Sequence, residues 1–113
     1  MARDDYYVVV YQILAYLYTQ LKAGDPVDQN LLKHDSKYLQ INEKYWLYIM
    51  EHLVLEGYIE HITIKKTWGN QVVVSGLENC RITPAGIAFL CDNTFIEKAK
   101  HFLKDIKAIV PFI

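Results

Sequence analysis

Two groups of side chains have the types and spacing for contact with a polyanion. Lys65, Lys66, Trp68 and Asn70 set two cations, an indole and an amide around a turn signal, a grouping suited to a nucleic-acid backbone or minor groove. Asn42, Lys44, Tyr45 and Tyr48 fall within two turns of helical pattern. There the amide and ammonium can reach base edges or phosphates, and the phenols can donate to phosphate oxygens. Lys33 and Lys37 are placed to meet flanking phosphates. Other chemistry finds little footing. His34, His52, His61 and His101 are scattered, none paired with another ligand at metal spacing. Cys80 and Cys91 lack a second pair and read as free, part-buried thiols. No serine or cysteine has a recognisable nucleophile's partners, and no glycine-rich phosphate loop occurs. The sequence thus predicts no enzyme activity, no cofactor, no metal and no small-molecule ligand.

The charge distribution qualifies the first reading. Net charge is −1 over 113 residues, with no general pull toward nucleic acid. Residues 1–64 carry nine acids against five basic residues, and residues 65–113 four acids against seven. Positive charge therefore lies late, at Lys65, Lys66, Arg81, Lys98, Lys100, Lys104 and Lys107. Residues 28–57 hold five acids against three lysines. Since phosphate neutralisation supplies most non-specific affinity, that segment is a poor electrostatic footprint.

The elements that must position these groups follow from periodicity and punctuation. One domain, residues 1–113, is expected, with a core at 4–91 and a C-terminal helix at 94–110. No apolar run approaches membrane-spanning length, and the first residues lack a secretion signal, so a cytoplasmic protein without a membrane partner is expected. Tyr6, Val10, Ile13, Leu14, Leu17 and Leu21 recur at helical spacing until Gly24 and Pro26. Asp28 can cap a short second helix, with Val27 and Leu32 as its hydrophobic staple. Asn42 can cap a third, with Ile41 and Trp46 repeating that spacing and Gly57 just past its end. "YIEHITIKK" and "QVVV", joined around Gly69-Asn70, read as a β-hairpin. In "ITPAG", Thr83 can cap, Pro84 suits the first helical position, and Gly86 leaves room for a close neighbour, either the first helix or the sheet. Thr94 and Glu97 have capping-box spacing for the last helix.

Helix, short helix, helix, β-hairpin, helix is the order of a winged helix-turn-helix: mainly α with a small β-hairpin (α+β), extended here by a C-terminal amphipathic helix. In that fold the third helix, residues 42–57, enters the major groove and the hairpin is the wing. The return "ITPAGIAFL" is similar to the one in the MarR and PadR groups. "EHLVLEGYIEHI", "ITPAGIAFLCDNTFIEKAKHFLKDIKAIVP" and the opening "YQILAYLY" together resemble the YjcQ-like family, small winged-helix proteins of Gram-positive bacteria and their prophages. The resemblance implies a winged-helix, double-stranded-DNA-binding role in transcription regulation. The alternative is a winged-helix module that binds protein and not DNA.

The last helix adds a further expectation. Phe95, Phe102 and Ile109 fall seven residues apart, as do Ile96, Leu103 and Val110, with Ala99 and Ile106 filling the seam. That stripe is wider than docking on one neighbour requires. A homodimer through Phe95, Phe102, Ile106 and Ile109 is therefore expected.

Overall fold

The computed structural model describes residues 1–108. Three helices come first: α1 (Tyr6–Ala23), the single turn α2 (Gln29–Leu32) and α3 (Glu43–Leu55). Four short strands follow, β1 (Ile59–Glu60), β2 (Thr63–Lys66), β3 (Val72–Ser75) and β4 (Arg81–Ile82), and then α4 (Pro84–Asp92) and α5 (Thr94–Asp105). This is the expected α+β winged-helix arrangement with an added C-terminal helix. Ile109 and Val110, the expected end of the apolar stripe, lie outside the described residues.

Local chemistry sets most boundaries. Asp28 accepts from the Asn30 amide at 3.0 Å, and Asn42 accepts from Lys44 N–H at 2.8 Å and Tyr45 N–H at 3.4 Å. These side chains satisfy amides that the first helical turn leaves without partners. At the end of α3, Gly57 takes φ 74°. Its N–H donates to Val54 O at 3.0 Å while Tyr58 N–H donates to Leu53 O at 2.9 Å. That pair of bonds is a Schellman closure, and its left-handed residue favours glycine. The cap of α5 differs from expectation. Asn93, not Thr94, accepts from the Phe95 and Ile96 amides at 2.9 and 3.1 Å. Thr94 becomes the first helical residue, and Glu97 instead faces His101 at 3.7 Å one turn on.

The expected single strand after Gly57 is also divided. His61 takes φ 70°, a left-handed conformation that no continuous strand accommodates. β1 therefore pairs antiparallel with β4 (Ile59 opposite Ile82, Glu60 opposite Arg81). β2 pairs separately with β3 (Thr63 opposite Ser75 through Lys66 opposite Val72). The first ladder sits on the core, with Ile59 and Ile82 buried. The second is the wing.

α1 is buried more completely than its periodicity predicts. Every residue from Val8 to Leu17 is buried, whereas Leu21, counted in the expected stripe, is exposed. A helix apolar on all sides belongs at a centre. Here α4, α5 and β4 pack on α1, and α3 adds Trp46, Ile49, Met50 and Leu53 to the same cluster. The polar atoms drawn inside are satisfied: Gln12 Nε2 donates to Tyr38 O at 3.1 Å, Tyr16 Oη accepts from Asp28 N–H at 2.9 Å, and Trp46 Nε1 donates to Leu32 O at 2.8 Å. These three bonds tie α1 and α3 to the turns that join them.

Gly86 lies in α4, where Thr83 Oγ1 accepts from its N–H at 3.0 Å. A Cβ at Gly86 would stand 2.3 Å from the Tyr58 carbonyl oxygen and 2.8 Å from Ile82 Cγ1. The close neighbour is thus the backbone entering β1. That carbonyl is held in place, because it also accepts from Thr83 N–H at 3.0 Å.

Candidate nucleic-acid interface

The wing gathers one complete set of candidate residues. Lys65 and Lys66 end β2, and Trp68, Gly69 and Asn70 form a single 3₁₀ turn before β3. Thr67 closes this tip: its N–H and hydroxyl both donate to Gln71 O, at 2.7 and 3.2 Å. Gly69 at φ 81° and Asn70 at φ 62° fold the loop back, conformations these two residue types tolerate best. The ladder is fixed but buries little. Lys65, Lys66 and Asn70 are exposed, and Trp68 is 99% exposed, so its whole indole stands in solvent. Val73, on the outer side of β3, is exposed as well. Only Ile64, Val72 and Val74 of the two strands are part-buried.

On α3 the candidates are divided. Asn42 spends Oδ1 on its cap, which leaves its Nδ2 for another partner. Tyr45 is half-buried and its hydroxyl donates to Asp4 O at 2.7 Å. This bond draws the Asp4-Asp5 segment onto the start of α3. Burial, then the nearby Asp4 and Asp5 carboxylates, push the Tyr45 hydroxyl above the usual phenol range. Lys44 and Tyr48 are exposed; Tyr48 is 53% exposed, its ring 4.1 Å from that of His52. Glu43, Glu51 and Leu55 are exposed on the same helix, and Glu56 is exposed just past its end. The outer surface of α3 is accordingly acidic and aromatic, while the wing is basic and aromatic. Lys33 and Lys37 are exposed in the turn before α3.

The remaining candidates lie on α5. Ile96, Ala99 and Leu103 make the buried face. Phe95 at 51% and Ile106 at 43% exposure stand outside it, with Phe102 half-buried between them. The stripe is therefore split between an intramolecular face and an uncovered one; Ile109 lies outside the described residues. Sequence reasoning missed the company Phe95 keeps. Its ring stacks on Tyr7 at 5.1 Å and 19°, and Tyr7 meets Tyr6 edge-on at 5.3 Å. Burial pushes the Tyr6 hydroxyl up, and its neighbours Tyr48, Tyr7, Glu56 and Tyr45 push it further. The adjacent tyrosines of "YYVVVY" were the signal, since a helix that is all core does not need two phenols at its first turn.

One cleft, of about 530 Å³, lies between the end of α1 and β4, with Asp25, His61, Glu78 and Arg81 among its lining residues. Arg81 Nη2 lies 2.7 Å from His61 Nε2 and 3.3 Å from Glu60 Oε1. A guanidinium only donates, so His61 Nε2 stands on the acceptor side of this contact. With Glu60 pairing the guanidinium and Asp25 and Glu78 lining the same cleft, the site offers an anion no net positive charge. Among the described residues no group of three His, Cys, Asp or Glu could hold a metal ion. Cys91 is exposed, whereas Cys80 is buried, and burial with Glu60 nearby pushes its thiol up to about 12. Cys80 is therefore no thiolate at neutral pH. No helix of the described residues is long and apolar enough to cross a membrane.

The sequence profile described as YjcQ protein matches residues 11–109. The chain belongs to the YjcQ family. No curated protein and no solved structure matches it. The span shared with the YjcQ family takes in α3, the wing, α4 and all of α5, whereas Tyr6 and Tyr7 precede it.

Proposed function

We propose that this YjcQ-family chain is a non-enzymatic, cytoplasmic binding protein that contacts double-stranded DNA chiefly through its wing, in the manner of a small transcription regulator. The observation that carries this reading is Trp68, fully solvated at the tip of a fixed hairpin and following two exposed lysines. An uncovered indole beside cations suits insertion at a minor-groove base step while the lysines neutralise flanking phosphates. α3 plays a lesser part in this scheme. Lys44 and the free Nδ2 of Asn42 can touch the duplex, but Glu43 and Glu51 oppose close approach along the helix.

The test uses the protein's own fluorescence. Trp46 is buried and hydrogen-bonded, so a change on adding DNA reports Trp68. Random-sequence duplex should quench or shift that signal at low salt, with affinity falling as salt rises. Absence of binding at low salt removes DNA as the partner. The acidic, aromatic surface of α3 supports one second reading, a winged-helix module that binds protein through its helices and hairpin without a DNA role.

A further inference from the structure

The strand register puts the two wing lysines on opposite faces of the hairpin. Side chains alternate along a strand, and Lys65 stands opposite Val73 while Lys66 stands opposite Val72. Val73 is exposed, whereas Ile64, Val72 and Val74 are part-buried. Lys65 therefore shares the outer face with Val73, and Lys66 extends the inner face beyond the Ile64–Val74 pair. Both lysines are exposed, so the ribbon carries one cation on each side just behind its tip.

This arrangement fits a groove with an anionic wall on each side better than a single line of phosphates. A hairpin laid flat on one backbone would use one lysine and turn the other to solvent. Entering tip-first, it brings each ammonium to a different strand. The tip itself suits the floor of a minor groove. Trp68 is 99% exposed, Asn70 and Gln71 are exposed beside it, and A·T pairs present only acceptors there for amide donors. Space sets the remaining demand. Two paired strands stand about 4.8 Å apart before side chains are added, and a minor groove is about 6 Å wide. The hairpin thus enters only as the groove opens. An apolar wedge that parts a base step opens it by bending the duplex toward the major groove. The cost depends on the step: TA and CA/TG part readily, while A-tracts are stiff and narrow.

We infer that the wing selects A·T-rich duplex containing a flexible pyrimidine–purine step, with Trp68 wedged at that step and Lys65 and Lys66 on phosphates of opposite strands. This selectivity rests on the wing being a duplex-DNA contact. Charge and wedge make opposite demands. Lysines alone favour the A-tract, whose narrow groove has the more negative potential, and the indole favours the TA step.

Two short labelled duplexes of identical base composition separate the two demands, one with a central TA step and one with an uninterrupted A-tract. Fluorescence polarisation should show the parent chain binding the TA duplex roughly tenfold more tightly. Energy transfer between end labels should show that duplex bent. Trp68→Ala alters a fully solvated side chain, so the fold is kept. It should abolish the bend and turn the preference toward the A-tract, with the salt dependence retained. Equal affinity for the two duplexes, a parent preference for the A-tract, or a TA preference that Trp68→Ala leaves unchanged overturns the inference and leaves the wing a DNA contact of another kind. Binding of neither duplex at low salt overturns the DNA reading itself.

Discussion

Replacing Gly86 by alanine adds one methyl group at the tightest approach made by any glycine of the chain. Its carbon would lie 2.3 Å from Tyr58 O and 2.8 Å from Ile82 Cγ1, whereas relaxed contacts between such atoms exceed 3 Å. Relief requires α4 to move away from β1, yet the same Tyr58 oxygen accepts from Thr83 N–H at 3.0 Å, and Ile59 pairs with Ile82 directly beside it. Overpacking of this kind costs about 1–3 kcal/mol, and contact with a bonded carbonyl belongs at the upper end. Alanine regains about 0.8–1 kcal/mol of helix propensity over glycine. The net loss is about 2 kcal/mol, which for a domain this size lowers the melting temperature by about 8 °C at about 4 °C per kcal/mol. Thermal and urea melts of Gly86→Ala against the parent measure it. An equal or higher melting temperature would show that α4 floats above the strand and that the approach is not obligatory.

Further outcomes can be checked with simple variants. Lys65→Ala with Lys66→Ala should weaken duplex binding alike for all sequences and flatten the salt slope by about two units at most, by fluorescence titration. Asn42→Ala removes a helix cap and should destabilise the domain by about 1 kcal/mol in a urea melt. Any change in sequence preference it brings would be traced to the Nδ2 group. A thiol reagent at pH 8 should modify Cys91 in the native protein and Cys80 only after unfolding. Because burial raises the Cys80 thiol from 9.0 to about 12, the native state holds a proton that the unfolded chain releases. Its contribution is fully present below about pH 9 and declines as pH rises through 12, so urea midpoints should fall over that window, and less steeply in Cys80→Ala.

Sequence readily indicated those parts of the fold that rest on short-range chemistry. Asp28, Asn42 and Thr83 cap helices that begin one residue later, as their side-chain oxygens and the local hydrophobic spacing predict. The tight approach at Gly86 was legible for the same reason, although its partner, a carbonyl 28 residues earlier in the chain, was not. The division of the strand at His61 escaped notice because histidine is no customary marker of positive φ, and Arg81 and Glu60 gather around it only once β1 and β4 have paired. The site was partly legible. The wing is a local structure, so Lys65, Lys66, Trp68 and Asn70 were recognisable together as one tip. Tyr45 was not separable from Tyr48 by type or spacing. What distinguishes them is a hydrogen bond from Tyr45 to Asp4, 41 residues away in sequence. The uncovered half of α5 followed from its width, but its continuation through Tyr7 and Tyr6 required the packing of α1.

The central position of α1 has a consequence for how the chain matures. Its covering layer includes Ile96, Ala99 and Leu103, which are made well after it, while the two wing strands between them pair with each other. At about 5–20 residues per second, the roughly 80 residues separating α1 from its lid take on the order of 4–16 s to synthesise. Throughout that interval the most extensively buried helix among the described residues lacks its final cover. A nascent chain stalled before α5 leaves part of α1 uncovered, the kind of apolar surface that makes incomplete chains prone to aggregate, and synthesis of α5 removes it.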